Sequence, residues 1–276
     1  MSLTVEASYA HCRRVARTRA RNFYYSFLLL SRAQKDAMCA IYAFMRFCDD
    51  LSDEEGASPA AIARWRAELD EALAGRPPDN PLWPAFHDAV TRYAIPHKYF
   101  HQMIDGVSSD LEPRRIESFD ELYGYCYKVA SVVGLTIIHI FGFESPRALE
   151  LAEECGIAFQ LTNILRDVRE DAGLGRVYLP AEDLRRFSVD PAHMEHNQCF
   201  VDLMQFEAGR ARRYYDDSWA LLDLVHRRSR PSLWALMCIY SRLLERIERS
   251  NYDVLDHRIS LPVWEKLSIV GRALAR

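Results

Sequence analysis

The stretch AMCAIYAFMRFCDDLSD, residues 37–53, shows the pattern that decides the fold class of this chain. Apolar side chains fill it almost without interruption up to Phe47, and four acids then follow within eight residues: Asp49, Asp50, Asp53 and Glu54. An apolar run of this length without strict alternation predicts a largely buried helix. Negative charge near a helix C-terminus meets the negative end of the helix dipole, so we expect a cation or a basic partner at this point.

Composition extends the helical interpretation to the whole chain. The 276 residues are 49% hydrophobic and 12% aromatic, which is enough for a large core, and only 11 are glycine. Alternating apolar and polar runs bounded by turn residues are nearly absent, which argues against sheets. We therefore predict one all-α domain over residues 1–276, without internal repeats.

Periodicity and capping residues place ten helices. They cover about residues 5–21, 35–52 with Ser31 as a candidate N-cap, 59–74, 83–93, 97–109, 118–142, 146–171, 198–226, 230–250 and a last segment from 262. The clearest loop is GRPPDNP, residues 75–81. The longest uncharged run, residues 129–143, is shorter than the roughly 20 residues that cross a bilayer, so it is predicted to be a core helix.

Charge and cysteine content narrow the functional classes. A net charge of −4 provides no global basic field, so we expect no nucleic-acid partner. The seven cysteines form no C-x-x-C pair and the N-terminus has no apolar signal core, which predicts a cytoplasmic location. Five arginines crowd residues 13–21, where they form either a solvated helix face or a surface that attracts phosphates or membrane lipids: Arg13, Arg14, Arg17, Arg19 and Arg21.

Two polar columns stand out inside apolar helices. The first has spacings of 4, 3 and 4 residues and comprises Tyr42, Arg46, Asp49 and Asp53. The second has spacings of 3, 4 and 4 residues and comprises Gln160, Asn163, Asp167 and Asp171. Residues three or four apart share a helix face, so two such helices facing each other would line a cavity with four carboxylates. Asp50 and Glu54 lie off the first column and are expected to matter less.

Four carboxylates in one cavity imply a cation, because unpaired they repel each other and lose hydration at a cost of several kcal/mol. Hard oxygen ligands suit Mg²⁺, which retains water and shares its coordination with substrate phosphates. The columns therefore predict Mg²⁺-dependent binding and ionisation of a diphosphate. The alternative is that each motif is a solvated helix end paired with nearby arginines.

Other metal and cofactor sites fit the sequence less well. A di-iron bundle needs Glu-x-x-His pairs, and none occurs. The group His193, His196 and Cys199 has no fourth zinc ligand nearby and is predicted to be surface, as are His97 and His101. The dinucleotide, P-loop and nucleophile-elbow motifs are also absent from the sequence.

A tyrosine-rich segment, ELYGYCYKVASVVGL, lies between the two acidic helices at residues 121–135. Its small residues, Ala130, Ser131 and Gly134, allow either a close helix crossing or room for a bulky apolar ligand. Its tyrosines have a second possible use, since an aromatic face stabilises positive charge and a phenol can relay a proton.

Together these motifs resemble the squalene/phytoene synthase family, which joins two prenyl diphosphates head to head. The resemblance covers nearly the whole chain: RNFYYSFLLL (21–30), AIYAFMRFCDDLSD (40–53), YCYKVASVVG (125–134), FQLTNILRDVREDAGLGRVYLP (159–180) and IYSRLLERIERSNYDVLDHRISL (239–261). It implies an all-α isoprenoid synthase fold built around a central cavity.

The resemblance also implies roles for individual residues. The acids that act in catalysis and hold two or three Mg²⁺ ions with the substrate diphosphates would be Asp49, Asp53, Asp167 and Asp171, with Asn163 as a further ligand. Substrate contacts would be Phe23, Tyr42, Arg46, Gln160, Arg166, Tyr240 and Arg258, and Tyr125 would lie near the reacting carbons. Family members often have His-Ser-x-Ser-Phe where this chain has RARNF, residues 19–23, so Arg21 and Asn22 would be the hydrogen-bond donors there.

The implied reaction couples two farnesyl diphosphates to presqualene diphosphate, as in bacterial hopanoid pathways. Phytoene synthase acting on geranylgeranyl diphosphate, and dehydrosqualene synthase, are the alternatives, and Val133 and Ile137 are candidate floor residues for chain-length selection. Continuation to squalene would need NADPH, for which the sequence has no fingerprint. A downstream isoprenoid-processing enzyme is the expected partner, and the arginine-rich first helix is expected to contact the inner face of the membrane.

Three other classes of helical protein share parts of this sequence pattern. Chain-elongating prenyltransferases and terpene cyclases share a D-D-x-x-D motif, but the elongating enzymes repeat the aspartate pair in their second motif, which RDVRED lacks. A non-catalytic helical relative would be expected to have lost the aspartates. A helical lipid-binding protein would explain a cavity but not paired acids.

Overall fold

A computed structural model describes residues 4–20, 23–53, 58–111 and 114–275. Regular structure in these residues is helical, and extended pairing is limited to two isolated bridges, Arg115 with Val177 and Phe143 with Val225. The predicted all-α fold is therefore confirmed for the described part of the chain.

Fourteen α-helices lie within the described residues. They are α1 Val5–Arg19, α2 Phe23–Phe27, α3 Arg32–Asp53, α4 Pro59–Leu73, α5 Trp83–Arg92, α6 Lys98–Ser108, α7 Phe119–Cys126, α8 Val132–Phe141, α9 Arg147–Gly173, α10 Ala181–Arg186, α11 Gln198–Ser218, α12 Leu221–Leu224, α13 Arg230–Arg249 and α14 Val263–Leu274. A π-helical turn, Tyr127–Ser131, joins α7 to α8, and a 3₁₀ turn, Arg227–Ser229, precedes α13.

The long helices follow the predicted boundaries, and the differences have local causes. Helix α3 begins at Arg32, three residues before the start that the periodicity indicated. The predicted cap explains the difference, because the Ser31 hydroxyl accepts a hydrogen bond from the Gln34 N–H at 3.4 Å. Helices α2 and α10 were not predicted, since five or six residues are too few for a helical period to show. The segment predicted as one helix over 198–226 breaks after Ser218 and restarts as α12.

The core is organised around α3 and α9. Helix α9 packs against α8, α11, α13 and the π-helical turn, and α3 packs against α1, α5, α6 and α8. Stacked and edge-on aromatic rings fill the side of α3 that faces α4 to α6: Phe44, Trp65, Trp83, Phe86 and Phe100. This cluster holds one face of α3 in the core, while its polar column faces α9.

Small residues bring the tyrosine-rich segment close to α9. A Cβ on Gly156 would lie 2.5 Å from Cα of Ser131, and one on Gly134 would lie 2.9 Å from the carbonyl oxygen of Ala152. The Ser131 hydroxyl donates to the carbonyl of Glu153 at 2.8 Å. The close-crossing interpretation is thus confirmed, and the crossing coincides with the π-helical turn, where regular helix was predicted.

The continuous helical segment Phe119–Phe141 is, by length and composition alone, long and apolar enough to cross a membrane. Its most apolar window is 56% buried inside the protein. Helices α3, α6 and α9 pack around it, as expected for the core helix that the sequence predicted.

Candidate active site

A cavity of about 510 Å³ lies between α3 and α9, with further walls from α2, α6, α8 and α13. Twelve of the predicted site residues line it: Phe23, Tyr42, Arg46, Asp49, Tyr125, Gln160, Asn163, Arg166, Asp167, Asp171, Tyr240 and Arg258. The side chain of Asp53, and the residues Arg21 and Asn22, lie outside the described residues. The two polar columns predicted from spacing therefore face one common space.

The cavity lining changes from apolar to polar along both long helices. On α3 it runs from Met38 and Ile41 to Arg46 and Asp49. On α9 it runs from the small residues Ala152, Cys155 and Gly156 to the acids Asp167, Glu170 and Asp171. At about 1.5 Å per residue, the α3 lining alone spans roughly 16 Å. The cavity therefore has an apolar end and an acidic end, the division that a hydrocarbon tail with a charged head requires.

Arginines surround the acid at the centre of the α9 column. The Arg166 side chain pairs with Asp167 through two hydrogen bonds, one of them 2.8 Å long between Nε and Oδ1. Arg258 approaches the same carboxylate at 3.2 Å and the carboxylate of Glu170 also at 3.2 Å. Two acids and two guanidinium groups thus share this end of the cavity with Asp171, a charge mixture suited to a polyanion held with cations.

Asp171 is the acid of this group whose negative charge is least neutralised by nearby basic side chains. Burial raises its pKa to about 7, the negative charge of Asp167 adds to the increase, and Arg176 opposes it. A carboxyl that resists ionisation in a polar cavity is short of positive charge nearby. A bound cation would restore the ionised form.

On the α3 side, Arg46 is held by an acid outside the column. Asp50 pairs with Arg46, four residues earlier on the helix, and Arg19 of α1 lies 3.7 Å from the same carboxylate. Asp50, which the spacing placed off the functional face, therefore orients a cavity-lining arginine. Tyr42, one turn before Arg46, is partly buried, and burial raises its pKa to about 12, so its phenol stays protonated.

The donor atoms present fit a divalent cation that shares its ligands with a diphosphate. Oδ1 of Asn163 is buried without a hydrogen-bond partner, while the amide nitrogen donates to Gln160 at 3.3 Å. An orphaned acceptor beside carboxylates is the atom a cation would use. No cluster of three His, Cys, Asp or Glu side chains among the described residues forms a metal centre by itself.

Aromatic rings line the cavity beside the polar end. Phe159 and Tyr240 stack with their centroids 4.3 Å apart, and Phe23 meets Tyr240 edge-on at 5.6 Å. Tyr240 is buried, which raises its pKa to about 12. These π-faces can stabilise a positively charged carbon while keeping water away from it.

Two residues beside Tyr125 were not predicted as site residues. The Tyr125 hydroxyl donates to Oδ2 of Asp110 at 2.9 Å, and the Tyr178 hydroxyl donates to Oδ1 of the same carboxylate at 2.9 Å. All three side chains line the cavity. Asp110 lies in the turn after α6 and Tyr178 follows α9, so no helical spacing connects them; the only sequence signal was GRVYLP, residues 175–180, which the resemblance included without a role.

A family model described as squalene/phytoene synthase matches residues 16–265. The chain belongs to the squalene/phytoene synthase family. The 15-cis-phytoene synthase of Synechococcus elongatus is 35% identical over 292 residues, covering 99% of this chain and 94% of that protein. The phytoene synthase of Mycobacterium bovis is 36% identical over 280 residues, covering 98% and 92% respectively.

Solved structures of two related synthases share the fold of this chain, in agreement with its membership of the squalene/phytoene synthase family. A dehydrosqualene synthase crystallised with a ligand superimposes with a TM-score of 0.91 at 28% identity, covering 98% of this chain and 96% of the other. The squalene synthase HpnC from Alicyclobacillus acidocaldarius gives a TM-score of 0.84 at 26% identity, with coverage of 90% and 95%. The protein is therefore a prenyltransferase of the head-to-head type that acts on prenyl diphosphates, which decides against the chain-elongating and lipid-binding alternatives.

The remaining sequence motifs lie away from the squalene/phytoene synthase cavity. His193 and His196 are exposed, with ring nitrogens near Asp190 at 3.1 Å and the carbonyl of Asn251 at 2.8 Å, so the surface interpretation is confirmed. The arginines on α1 differ in their surroundings. Arg13 forms an ion pair with Asp36 at 2.9 Å, while Arg14 and Arg17 are exposed.

Proposed function

We propose that this enzyme couples two farnesyl diphosphates head to head to form presqualene diphosphate and releases diphosphate. The observation that carries the proposal is the common cavity of the two acidic columns, with Asp49 on α3 and Asp167 and Asp171 on α9 at its polar end. A prenyl diphosphate has the same division between a charged head and an apolar tail. Hydrophobic side chains over the rest of the cavity provide the surface on which the tails would lie.

The polar end supplies the groups that bind and stabilise a departing diphosphate. Arg46, Arg166 and Arg258 line it and would donate charge-assisted hydrogen bonds to phosphate oxygens. Asp49, Asp53, Asp167, Asp171 and Asn163 would hold two or three Mg²⁺ ions. When bound with the substrate, these ions would supply the positive charge that neutralises the leaving group.

The aromatic wall would protect the carbon left behind. In the proposed reaction the allylic cation meets the double bond of the second substrate, and proton loss then closes a cyclopropane. Phe159, Tyr240 and Tyr125 would present ring faces or a phenol to these carbons, and the buried surroundings would exclude water that would otherwise give an alcohol.

Synthesis of phytoene from two geranylgeranyl diphosphates is the second candidate. It is favoured by the phytoene synthases that are about one-third identical to this chain over nearly its whole length. A dehydrosqualene product, as the name of the structural neighbour suggests, is a further outcome of the same head-to-head chemistry. A hopanoid or sterol precursor would follow from the farnesyl substrate, and a carotenoid precursor from either substrate.

The deciding experiment incubates the purified protein with Mg²⁺ and either farnesyl or geranylgeranyl diphosphate, with and without NADPH, and identifies the products. Presqualene diphosphate from the farnesyl substrate is the expected result, and squalene only with NADPH would add a reductive second step. A C40 product would support the second candidate. Absence of diphosphate release from both substrates would refute the enzymatic function.

The proposed product is a lipid, which suggests where it is used. A downstream isoprenoid-processing enzyme would receive it at the cytoplasmic face of the membrane. The exposed Arg14 and Arg17 of α1 are positioned to attract anionic headgroups, which supports a peripheral contact of this helix.

A further inference from the structure

Asp110 is a buried carboxyl in the cavity wall to which the proposed function assigns no role. Its side chain is contacted by two phenols, with Tyr125 donating to Oδ2 and Tyr178 to Oδ1, each at 2.9 Å. Both phenol protons therefore point towards Asp110, and all three side chains line the cavity. The lone pairs of the Tyr125 oxygen that remain unused are consequently available to a bound substrate.

Several contacts hold this arrangement in place. The Tyr125 and Tyr178 rings stack with centroids 4.8 Å apart and planes inclined by 18°. The backbone that carries Tyr178 is hydrogen-bonded to the segment after Asp110, from Val177 N to Arg114 O at 3.0 Å. Arg176 donates to the carbonyl of Asp110 at 2.9 Å. The carboxylate and the two phenols thus form one positioned unit.

The directions of the pKa shifts of Tyr125 and Asp110 indicate which of the two groups would hold a released proton. Burial, followed by the negative charge of Asp110, raises the pKa of Tyr125 far above its usual value, so this phenol does not ionise at neutral pH. A neutral phenol is a weak base unless it gives up its own proton as it accepts another. Burial also raises the pKa of Asp110, while its hydrogen bonds from Tyr125 and Tyr178 oppose the shift, which makes the carboxylate a stronger base than an exposed aspartate.

We propose that Asp110 is the final acceptor, through Tyr125, of the proton lost when the cyclopropane closes. This inference rests on the proposed head-to-head reaction. Loss of diphosphate breaks the C1–O bond of the first substrate, and carbon 2 of the second substrate then bonds to that carbon 1, which leaves the positive charge on carbon 3 of the second substrate. The three-membered ring closes when the electron pair of a C–H bond on carbon 1 of the first substrate forms a bond to this carbon 3. The released proton passes to the Tyr125 oxygen as the Tyr125 O–H proton passes to Oδ2 of Asp110. Tyr125 ends neutral, and Asp110 ends as a carboxylic acid.

Tyr178 has a supporting part in this relay. It engages Oδ1 and thereby leaves Oδ2 directed at Tyr125, but it does not lie on the path of the proton. Its removal is therefore expected to lower the ring product less than removal of the Asp110 carboxylate does, because the base stays in place while its positioning is disturbed.

The test uses farnesyl diphosphate with and without deuterium at carbon 1, and compares wild type with Asp110→Asn and Tyr178→Phe. Released diphosphate, cyclopropane product and prenyl alcohol are measured in each reaction. Asn accepts the same hydrogen bond from Tyr125 but is not basic, so Asp110→Asn is expected to release diphosphate while the cyclopropane product falls by about 10²–10⁴-fold, the usual contribution of a general base. The cation should then leave as prenyl alcohol, with a larger deuterium isotope effect on ring closure than in wild type.

Tyr178→Phe should lower the ring product less than Asp110→Asn does, and an equal or larger loss would overturn the assignment of Asp110 as the proton acceptor. An Asp110→Asn variant whose product partition and isotope effect match wild type would overturn the relay. If that variant fails to fold, as judged by circular dichroism, Asp110→Glu replaces it: a changed partition and isotope effect are expected there, and unchanged values would refute the inference. A wild-type protein that releases no diphosphate refutes the proposed function itself, a result distinguishable from failure of the relay alone.

Discussion

A Cβ added to Gly156 of α9 would lie 2.5 Å from Cα of Ser131 in the π-helical turn, closer than two carbon atoms can approach without a backbone shift. We therefore expect Gly156→Ala to lower the free energy of unfolding by about 1–3 kcal/mol, the usual cost of overpacking. Urea unfolding followed by circular dichroism measures this change.

Gly209 in α11 provides the matched control, because an added Cβ there meets nothing within 4 Å. Gly209→Ala should stabilise the protein by about 0.5–1 kcal/mol through helix propensity alone. Equal effects of the two substitutions would show that the crossing at Ser131 tolerates a side chain.

The acidic columns are tested by removing charge without changing shape. We expect Asp49→Asn and Asp167→Asn to abolish turnover, since each removes a negative charge and a proposed Mg²⁺ ligand at the polar end of the cavity. The helical circular dichroism spectrum should stay unchanged. Asp216→Asn, on the exposed face of α11, is the control and should retain activity. Near-normal turnover in both cavity variants would show that these acids do not bind the metal and diphosphate.

Substrate length is expected to depend on Ile137, which lines the apolar part of the cavity. Ile137→Ala removes three carbon atoms from the wall and should shift the ratio of kcat/KM towards geranylgeranyl diphosphate by about 10-fold or more, the scale on which a pocket discriminates methylene groups. Ile140→Ala removes the same atoms from a buried residue of α8 that does not line the cavity. A similar ratio in the two variants would exclude Ile137 as a floor residue.

Stability should depend on pH through Glu207 of α11. Burial raises its pKa from 4.5 to about 8, and the nearby Asp183 adds to the increase although Arg210 opposes it. Between these two pH values the folded protein holds a proton that the unfolded chain releases, so the free energy of unfolding should fall as pH rises through this window. Each pKa unit corresponds to about 1.4 kcal/mol.

Urea titrations from pH 5 to about pH 8 measure this dependence. Glu207→Gln keeps the size of the side chain and cannot titrate, so its stability curve should be flatter than that of wild type. Glu195→Gln changes an exposed residue and should leave the slope as it was. A Glu207→Gln variant with the wild-type slope would mean that other groups cause the pH dependence.

Membrane contact through α1 is tested by vesicle flotation. The double variant Arg14→Glu and Arg17→Glu should lose binding to anionic vesicles, because each basic residue near such a surface contributes about 1 kcal/mol. The exposed pair Arg227 and Arg228 before α13 offers a control with the same charge change. Equal loss in both double variants would indicate general charge attraction, and no binding by wild type would exclude the contact.

Local spacing was sufficient to predict much of the site. Asp49 and Asp167 were placed on cavity-facing columns because an α-helix repeats every 3.6 residues. Once a segment is known to be helical, this repeat gives the residues that share a face with each acid. The same reasoning missed Asp50, which pairs with Arg46 on the flank of the column. Short helices such as α2 were also missed, since their few residues carry no period.

The sequence by itself determined the helical class, the long helices and the two acidic columns, because these follow from interactions between residues three or four positions apart. Only the tertiary structure decided that Tyr178 shares Asp110 with Tyr125, and that Arg258 reaches Asp167. Such contacts join segments far apart in the chain, and they form only when helix packing buries their polar groups together. Burial also decided the pKa of Asp171, since desolvation depends on the atoms that surround a carboxyl and not on its neighbours in sequence.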